Sequence, residues 1–346
     1  MLETITIEGL PPHVSISMTM SAEQAVRTAT LDLAFTGKSL PCLPGDKTRV
    51  LASGDLVLTG YVRDVNASHD MTSRTLGVSL VSRTVDATEC SVVHPTGECM
   101  DKDLATIARE FDGLGIGIED DGDLPKEPRH KLATGESLFH SIERRARGRG
   151  ILIYDTPEGK LKLATKPQGT HAGGLVFGRN ILAASSSLSE KGRHSSVKVR
   201  GQKTEGTGKG HLRSQSIAKD DSVVRDRPLI ILHEGEAEPD RMRKRAEWQV
   251  KRGAGNSVTA QIKVTGWRDD KGKIWSPNYL VHVEDDMIGI NGLMIIKSVT
   301  LAQGPDGTTA ALSLADPRAL GGENPRGKTA KAYTAPGAIE TELEDE

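Results

Sequence analysis

Near the C-terminal end, Gly322-Glu323-Asn324-Pro325-Arg326-Gly327-Lys328-Thr329 spells GxxxxGK[ST], the pattern of a loop that cradles nucleotide phosphates. That chemistry needs a buried strand before the loop and a helix after it, whose N-terminal amides face the phosphates. Here Asp316-Pro317 precedes the pattern and Pro336-Gly337 cuts any following helix, so nucleotide binding is not expected. Arg241, Arg243, Lys244, Arg245, Lys251 and Arg252, with Trp248 among them, could offer a basic helix to nucleic acid or to an acidic protein surface. Arg144, Arg145, Arg147 and Arg149 sit where a helix ends and complement its dipole. Neither run carries the stacking aromatics of a base-reading surface, so both read as solvated helix faces. The acidic runs Glu119-Asp120-Asp121-Gly122-Asp123 and Glu284-Asp285-Asp286 lack the alternating ligands and distal Glu of a calcium loop, and turn chemistry accounts for them. Cys90, His94 and Cys99 are loosely spaced with no fourth ligand nearby, which makes them incidental thiols rather than a metal site. No GxSxG or HExxH occurs, and His69, His140 and His233 have no evident partners in sequence. No catalytic residue, metal or cofactor is expected.

The elements that would position side chains are strands. Pro44–Asp86 and Pro277–Asp316 spell one small antiparallel module twice. In the first, a strand ends at Gly54-Asp55, a second runs through Gly60-Tyr61-Val62, and a third alternates through Leu76, Val78 and Leu80. The second has turns at Asp285-Asp286 and Pro305-Asp306-Gly307, Gly292 between them, and a final strand through Ala310, Leu312 and Leu314. Period-2 alternation broken by such turns is a hairpin signal, because Gly, Asp and Asn tolerate the positive φ of tight turns. Two copies in one chain imply duplication, and duplication implies assembly.

The chain has 346 residues, more than one ordinary core. Aromatics are only 3% while glycine numbers 37, which favours many short strands over large helical layers. A net charge of −2 supplies no overall attraction to nucleic acid or to an anionic membrane. The N-terminus lacks a basic stretch followed by a long apolar one, and no apolar run approaches bilayer length, so a chain made in the cytosol without a membrane anchor is expected. Three cysteines, Cys42, Cys90 and Cys99, make a disulfide framework improbable.

The expected class is mainly β with α+β: two related antiparallel β-barrel-like domains and a small α+β domain between them. Residues 1–88 form the first barrel, with strands at Thr4–Ile7, Val14–Met18 and Ala29–Leu33 ahead of the first repeat copy. Residues 89–178 form the α+β domain. One of its helices presents Leu104, Ile107, Ala108 and Phe111; the other presents Leu138, Ile142 and Ala146, with Phe139 beside them and Gly148 as C-terminal cap. A hairpin turns at Thr156-Pro157-Glu158-Gly159. Residues 179–320 form the second barrel, with a polar loop at Gly201–Gly210 and a helical insertion near 237–252 that presents Met242, Ala246 and Val250. Residues 321–346, rich in Gly, Pro and charge, read as a disordered tail.

One stretch is more specific. Arg225-Asp226-Arg227-Pro228-Leu229, Arg245-Ala246-Glu247-Trp248, Gly266-Trp267-Arg268 and Gly272-Lys273-Ile274-Trp275-Ser276-Pro277-Asn278 occur in that order. Together they resemble the baseplate hub proteins of Mu-like contractile-tailed phages. His194–Gln202 is similar to the family's strand entering the second barrel, and Gly135–Leu138 with Ile151–Leu163 to its middle domain. The resemblance spans residues 1–320 in domain order, strongest over 225–285.

It implies a homotrimer whose two related barrels per subunit alternate around a pseudo-sixfold ring. Such a ring would join a tail tube to a central spike protein, contact baseplate wedge proteins, and leave a channel for the tape-measure protein and DNA. The location implied is the virion tail baseplate, after assembly in the host cytoplasm. Within that frame Trp248, Trp267 and Trp275 are candidate core or subunit-interface anchors, with core the stronger reading for Trp267 and Trp275 because both lie beside predicted strands. The alternatives are a tail-associated cell-wall hydrolase, or a β-barrel protein outside any virion that binds carbohydrate or nucleic acid.

Overall fold

The computed structural model describes residues 3–146, 149–201, 214–232 and 239–320. The first module contains β1 (Ile5–Ile7), β2 (His13–Ser21), β3 (Thr28–Leu33), β4 (Lys47–Ala52), β5 (Asp55–His69) and β6 (Arg74–Ser82), in the spatial order β1-β4-β5-β6-β3-β2. Alternation sets the faces: Ile16, Met18 and Met20 point into the core from β2, while the residues between them are half-exposed. The β4–β5 hairpin pairs Ala52 with Asp55 and turns through Ser53 and Gly54 at φ 48° and 94°, the double positive φ of a tight two-residue loop.

The middle segment contains α1 (Val85–Glu89), β7 (Glu98–Asp103), α2 (Leu104–Phe111), β8 (Ile118–Asp120), β9 (Lys126–Lys131), α3 (Leu138–Ala146), β10 (Leu152–Asp155) and β11 (Leu161–Ala164). Asp103 caps α2, accepting from the Thr106 amide at 2.9 Å and from its hydroxyl at 2.6 Å. The expected faces of both helices are buried in one core, where Leu104, Ile107, Ala108 and Phe111 share a cluster with Leu138, Ile142 and Ala146. The expected hairpin is β10–β11. Gly148, the expected cap of α3, lies outside the described residues.

The second module contains β12 (Leu175–Val176), β13 (Ile181–Leu188), β17 (Val258–Thr265), β18 (Leu280–Asp285), β19 (Ile290–Gly304) and β20 (Gly307–Ala315). Between β13 and β17 lie β14 (Ser196–Gly201), β15 (Ser214–Lys219), β16 (Pro228–Leu232) and α4 (Pro239–Asn256). The strand at Ser196–Gly201, expected in the barrel, belongs instead to this insertion. It is the centre of a separate sheet β15-β14-β16, whose Val197 and Val199 pack on Met242 and Ala246 of α4. The helix continues past its expected end at Arg252 to Asn256. Gly255 lets the closing 3₁₀ turn pack against this last part of the helix, since an added Cβ there would overlap the backbone of Arg318 and Ala319. The loop expected at Gly201–Gly210 and the tail beyond Leu320 fall almost wholly outside the described residues.

The duplication is wider than the repeated segment. The second module runs β12-β18-β19-β20-β17-β13, the first module's order strand for strand and in the same chain sequence. Two irregularities recur at matching places. Register shifts at His13/Ser15 in β2 and at Ile181/Ala183 in β13, and again at Val62/Asp64 in β5 and at Ile296/Ser298 in β19. Bulges of this kind redirect a strand and are specified features of a sheet. One detail differs, since β1 meets β4 antiparallel while β12 meets β18 parallel.

The modules also fuse. β2 pairs antiparallel with the second half of β19, making one twelve-stranded sheet over a single apolar cluster that runs from Ile7 to Leu314.

Candidate functional site

The places where this chain concentrates specific contacts are its internal joints. At the β2–β19 joint, residues 298–303 face 21–16 in order, and Thr19 and Thr300 bring their Oγ1 atoms to 3.1 Å. Beside it, the Arg268 guanidinium spans both modules. Its Nε donates to Glu3 Oε1 at 2.9 Å, Nη1 to Asp55 Oδ2 at 2.6 Å, and Nη2 to the Ala52 carbonyl at 2.8 Å. Gln303 Nε2 donates to the Glu3 carbonyl at 3.0 Å. Burial works against the charge on Glu3, but hydrogen bonds from Arg268 and Ser53 hold its carboxyl below the usual range.

Trp267 is fully buried next to Arg268, and its Nε1 donates to the Ala302 carbonyl at 3.1 Å. Trp275 is buried and lies 4.7 Å, ring to ring, from His171, whose Nδ1 meets Asp269 Oδ2 at 2.9 Å. The Ser276 amide donates to Nε2 of the same ring at 3.2 Å, so both imidazole nitrogens are engaged. Trp248 is placed differently. It is half-buried on α4, with its indole against Gly150 of the middle segment and the Arg252 guanidinium 5.0 Å from its ring centroid. Gly150 has φ 69°, and a Cβ there would collide with the indole, so this glycine is needed twice over.

A second joint ties the first module to the middle segment. Arg27 Nε donates to Asp155 Oδ2 at 2.7 Å, Nη1 to the Val57 carbonyl at 2.5 Å, and Nη2 to the Asp155 carbonyl at 3.0 Å, all buried. Sequence patterning gave no hint of Arg27–Asp155 or of Glu3, because each partner is distant in the chain. Arg268 and Asp269 had a visible signal, standing inside the Gly-Trp-Arg stretch.

Many of the remaining chemistry-bearing candidates are engaged in structure. Arg243 pairs with Asp240 and Glu247, Lys244 with Asp240, and Arg252 with Glu23. Arg144 meets Glu136, and Arg149 meets Glu127. Asp120 binds Arg109, and Asp121 binds Lys162 at 3.0 Å. His94 Nδ1 accepts from the Gly97 amide, and burial pushes the Cys99 thiol up to about 11. His140 Nδ1 lies 2.9 Å from the Ser137 hydroxyl, while His69 stands exposed at the end of β5. Among the described residues no group of three or more His, Cys, Asp or Glu is placed to hold a metal ion, and no helix is long and apolar enough to cross a membrane. The phosphate-loop pattern and His233 lie outside the described residues.

Residues 238–323 match the family model for the fourth domain of Mu phage baseplate assembly protein GpP, and residues 84–165 match that for the second domain of gp44-like baseplate hub proteins. The baseplate hub protein gp44 of Escherichia phage Mu is 26% identical over 319 residues, covering 87% of this chain and 83% of that one. These matches support a Mu-like baseplate hub. A solved relative agrees: the 43 kDa tail protein of prophage MuSo2 from Shewanella oneidensis superposes with a TM-score of 0.80 at 28% identity, over 92% of this chain and 99% of that one. The tail protein from Neisseria meningitidis MC58 shares the fold, with a TM-score of 0.77 at 19% identity over 93% and 99% of the two chains. The hub is thus a β-rich structural protein of a phage-type tail, and its relatives are structural baseplate proteins.

Proposed function

We propose that three copies of this hub assemble into a ring in which six similar modules alternate, joining the tail tube on one face to the central spike on the other. The observation that carries this reading is the shared strand order of the two modules, with both bulges conserved between them. A threefold ring of chains with two like modules presents nearly sixfold features to a hexameric tube while keeping true threefold symmetry for a trimeric spike. The lumen serves as a channel for the tape-measure protein and then DNA, and wedge proteins meet the outside. The same reading places assembly in the host cytoplasm before the hub joins the virion tail. It also divides the chain into modules at 1–88 and 179–320, a middle domain at 89–178 and a tail at 321–346. Trp267 and Trp275 then act as core anchors of the second module, and Trp248 holds the insertion against the middle domain.

Light scattering of the purified chain, followed by negative-stain imaging, tests the ring. A mass three times that of the chain with a ring of sixfold outline is expected. A monomer at every concentration, alone and with its spike protein, overturns the reading. The hub acts by shape rather than by catalysis, so a peptidoglycan zymogram should show no clearing.

A further inference from the structure

Resting on the ring reading above, we infer that neighbouring subunits are joined by a strand pair between β13 of one copy and residues 64–69 of β5 in the next. Its register is fixed by the β2–β19 joint inside each chain. Aligning the two modules by their bulges makes the correspondence residue-specific. The half of β19 that binds β2, residues 298–303, corresponds to residues 64–69 of β5, because Val299 faces Leu312 just as Val65 faces Val78. β2 corresponds to β13, because Met18 and Ser186 face the equivalent Ala29 and Ala260.

Each chain therefore holds one joint made and two halves of the same joint unmade. β4 follows β5 only as far as Tyr61, and among the described residues no other strand takes that edge of residues 64–69. β13 ends the sheet path beyond β17, so its outer edge also pairs with no strand among the described residues. Within one chain these edges lie toward opposite ends of the twelve-stranded path and do not pair with each other, which leaves each available to a second copy. Head-to-tail contacts of this kind close into a ring when the rotation per subunit allows it.

Exposure follows the same logic. Ile16, Met18 and Met20 of β2 are buried at the made joint, whereas their counterparts Ala184, Ser186 and Leu188 are half-exposed or exposed, Leu188 at 50%. Val299 and Leu301 are buried, whereas Val65 is half-buried and Ala67 exposed. β13 contains no charged residue and no proline, the usual devices that keep an open edge from pairing. The predicted register sets Val65 opposite Leu188, Asn66 opposite Ser187, Ala67 opposite Ser186, Ser68 opposite Ser185 and His69 opposite Ala184. Asn66 and Ser187 stand where Thr19 and Thr300 join hydroxyls, and they too can hydrogen-bond.

Cysteine pairing tests the register in the full chain, with exposed Cys90 replaced by serine to remove a competing thiol. Under mild oxidation V65C with L188C should yield covalent trimer on a non-reducing gel, at least tenfold more than the slipped pair V65C with S187C, whose side chains point to opposite faces. A complementary set leaves the core face alone. N66D with S187D opposes like charges and should shift the mass from trimer to monomer, while N66K with S187D should restore the trimer. A wild-type trimer with no preference between the cysteine pairs, or one indifferent to N66D with S187D, overturns the strand joint and leaves the ring standing. A wild-type chain that stays monomeric alone and with its spike overturns both.

Discussion

At the scale of single residues, His130 is a buried group whose charge state bears on stability. Its ring is fully buried with Nε2 2.7 Å from the Ser141 hydroxyl. Burial first, then the neighbouring Arg145 and Arg144 cations, push its pKa down to about 4. The unfolded chain, with a histidine near 6.5, binds the proton more readily, so the contribution is complete above that pH and is lost as pH falls from 6.5 toward 4. Wild-type stability should drop between pH 7 and pH 4.5 by at most about 3 kcal/mol from this group, and H130Q should flatten that part of the profile. Denaturant titrations of both proteins across the range would decide it. Trp267 makes a simpler case: with its ring fully enclosed and its N–H spent on Ala302, W267A should cost roughly 3–5 kcal/mol in the same measurement.

At the scale of elements, the joints are specified by single side chains set where strands cross. Arg268 reaches β4 and β5 of the first module from the loop after β17, so R268A leaves Glu3 buried with only the Ser53 hydroxyl as a side-chain donor. A loss of about 3 kcal/mol is expected, with E3Q partly compensating in the double variant because it removes the stranded charge. The β5–β6 pair depends on Gly60. A Cβ there would overlap the Val81 carbonyl, so G60A should force the ladder apart and lower the thermal midpoint by several degrees in calorimetry. Trp248 and Gly150 play the corresponding part between α4 and the middle segment.

At the scale of the whole molecule, the continuous sheet makes the modules one energetic unit. Their apolar side chains form a single cluster, with Met18 and Leu31 in the same network as Leu301 and Leu312. Native-state hydrogen exchange should therefore give β3 and β20 the same opening free energy, while the separate cluster of the insertion, built on Val197, Val199, Met242 and Ala246, opens at lower cost. Distinct values for β3 and β20 would show that the shared core does not couple them.

What local periodicity and turn chemistry can encode was legible in the residues alone. They marked the alternating strands of both repeat copies, the faces of α2 and α3, the β10–β11 hairpin and the glycine turns, because a strand or helix face is written in residues two to four apart. They also carried the hub resemblance, through motifs clustered around Trp248, Trp267 and Trp275. Tertiary structure alone decided that the modules share one sheet and that Ser196–Gly201 leaves the barrel for a sheet with α4. It alone paired Arg27 with Asp155 and Arg268 with Glu3. These are choices between partners 128 and 265 positions apart. No periodic signal reaches that far: what selects among distant partners is the packing of whole faces, and it exists only once the chain has folded.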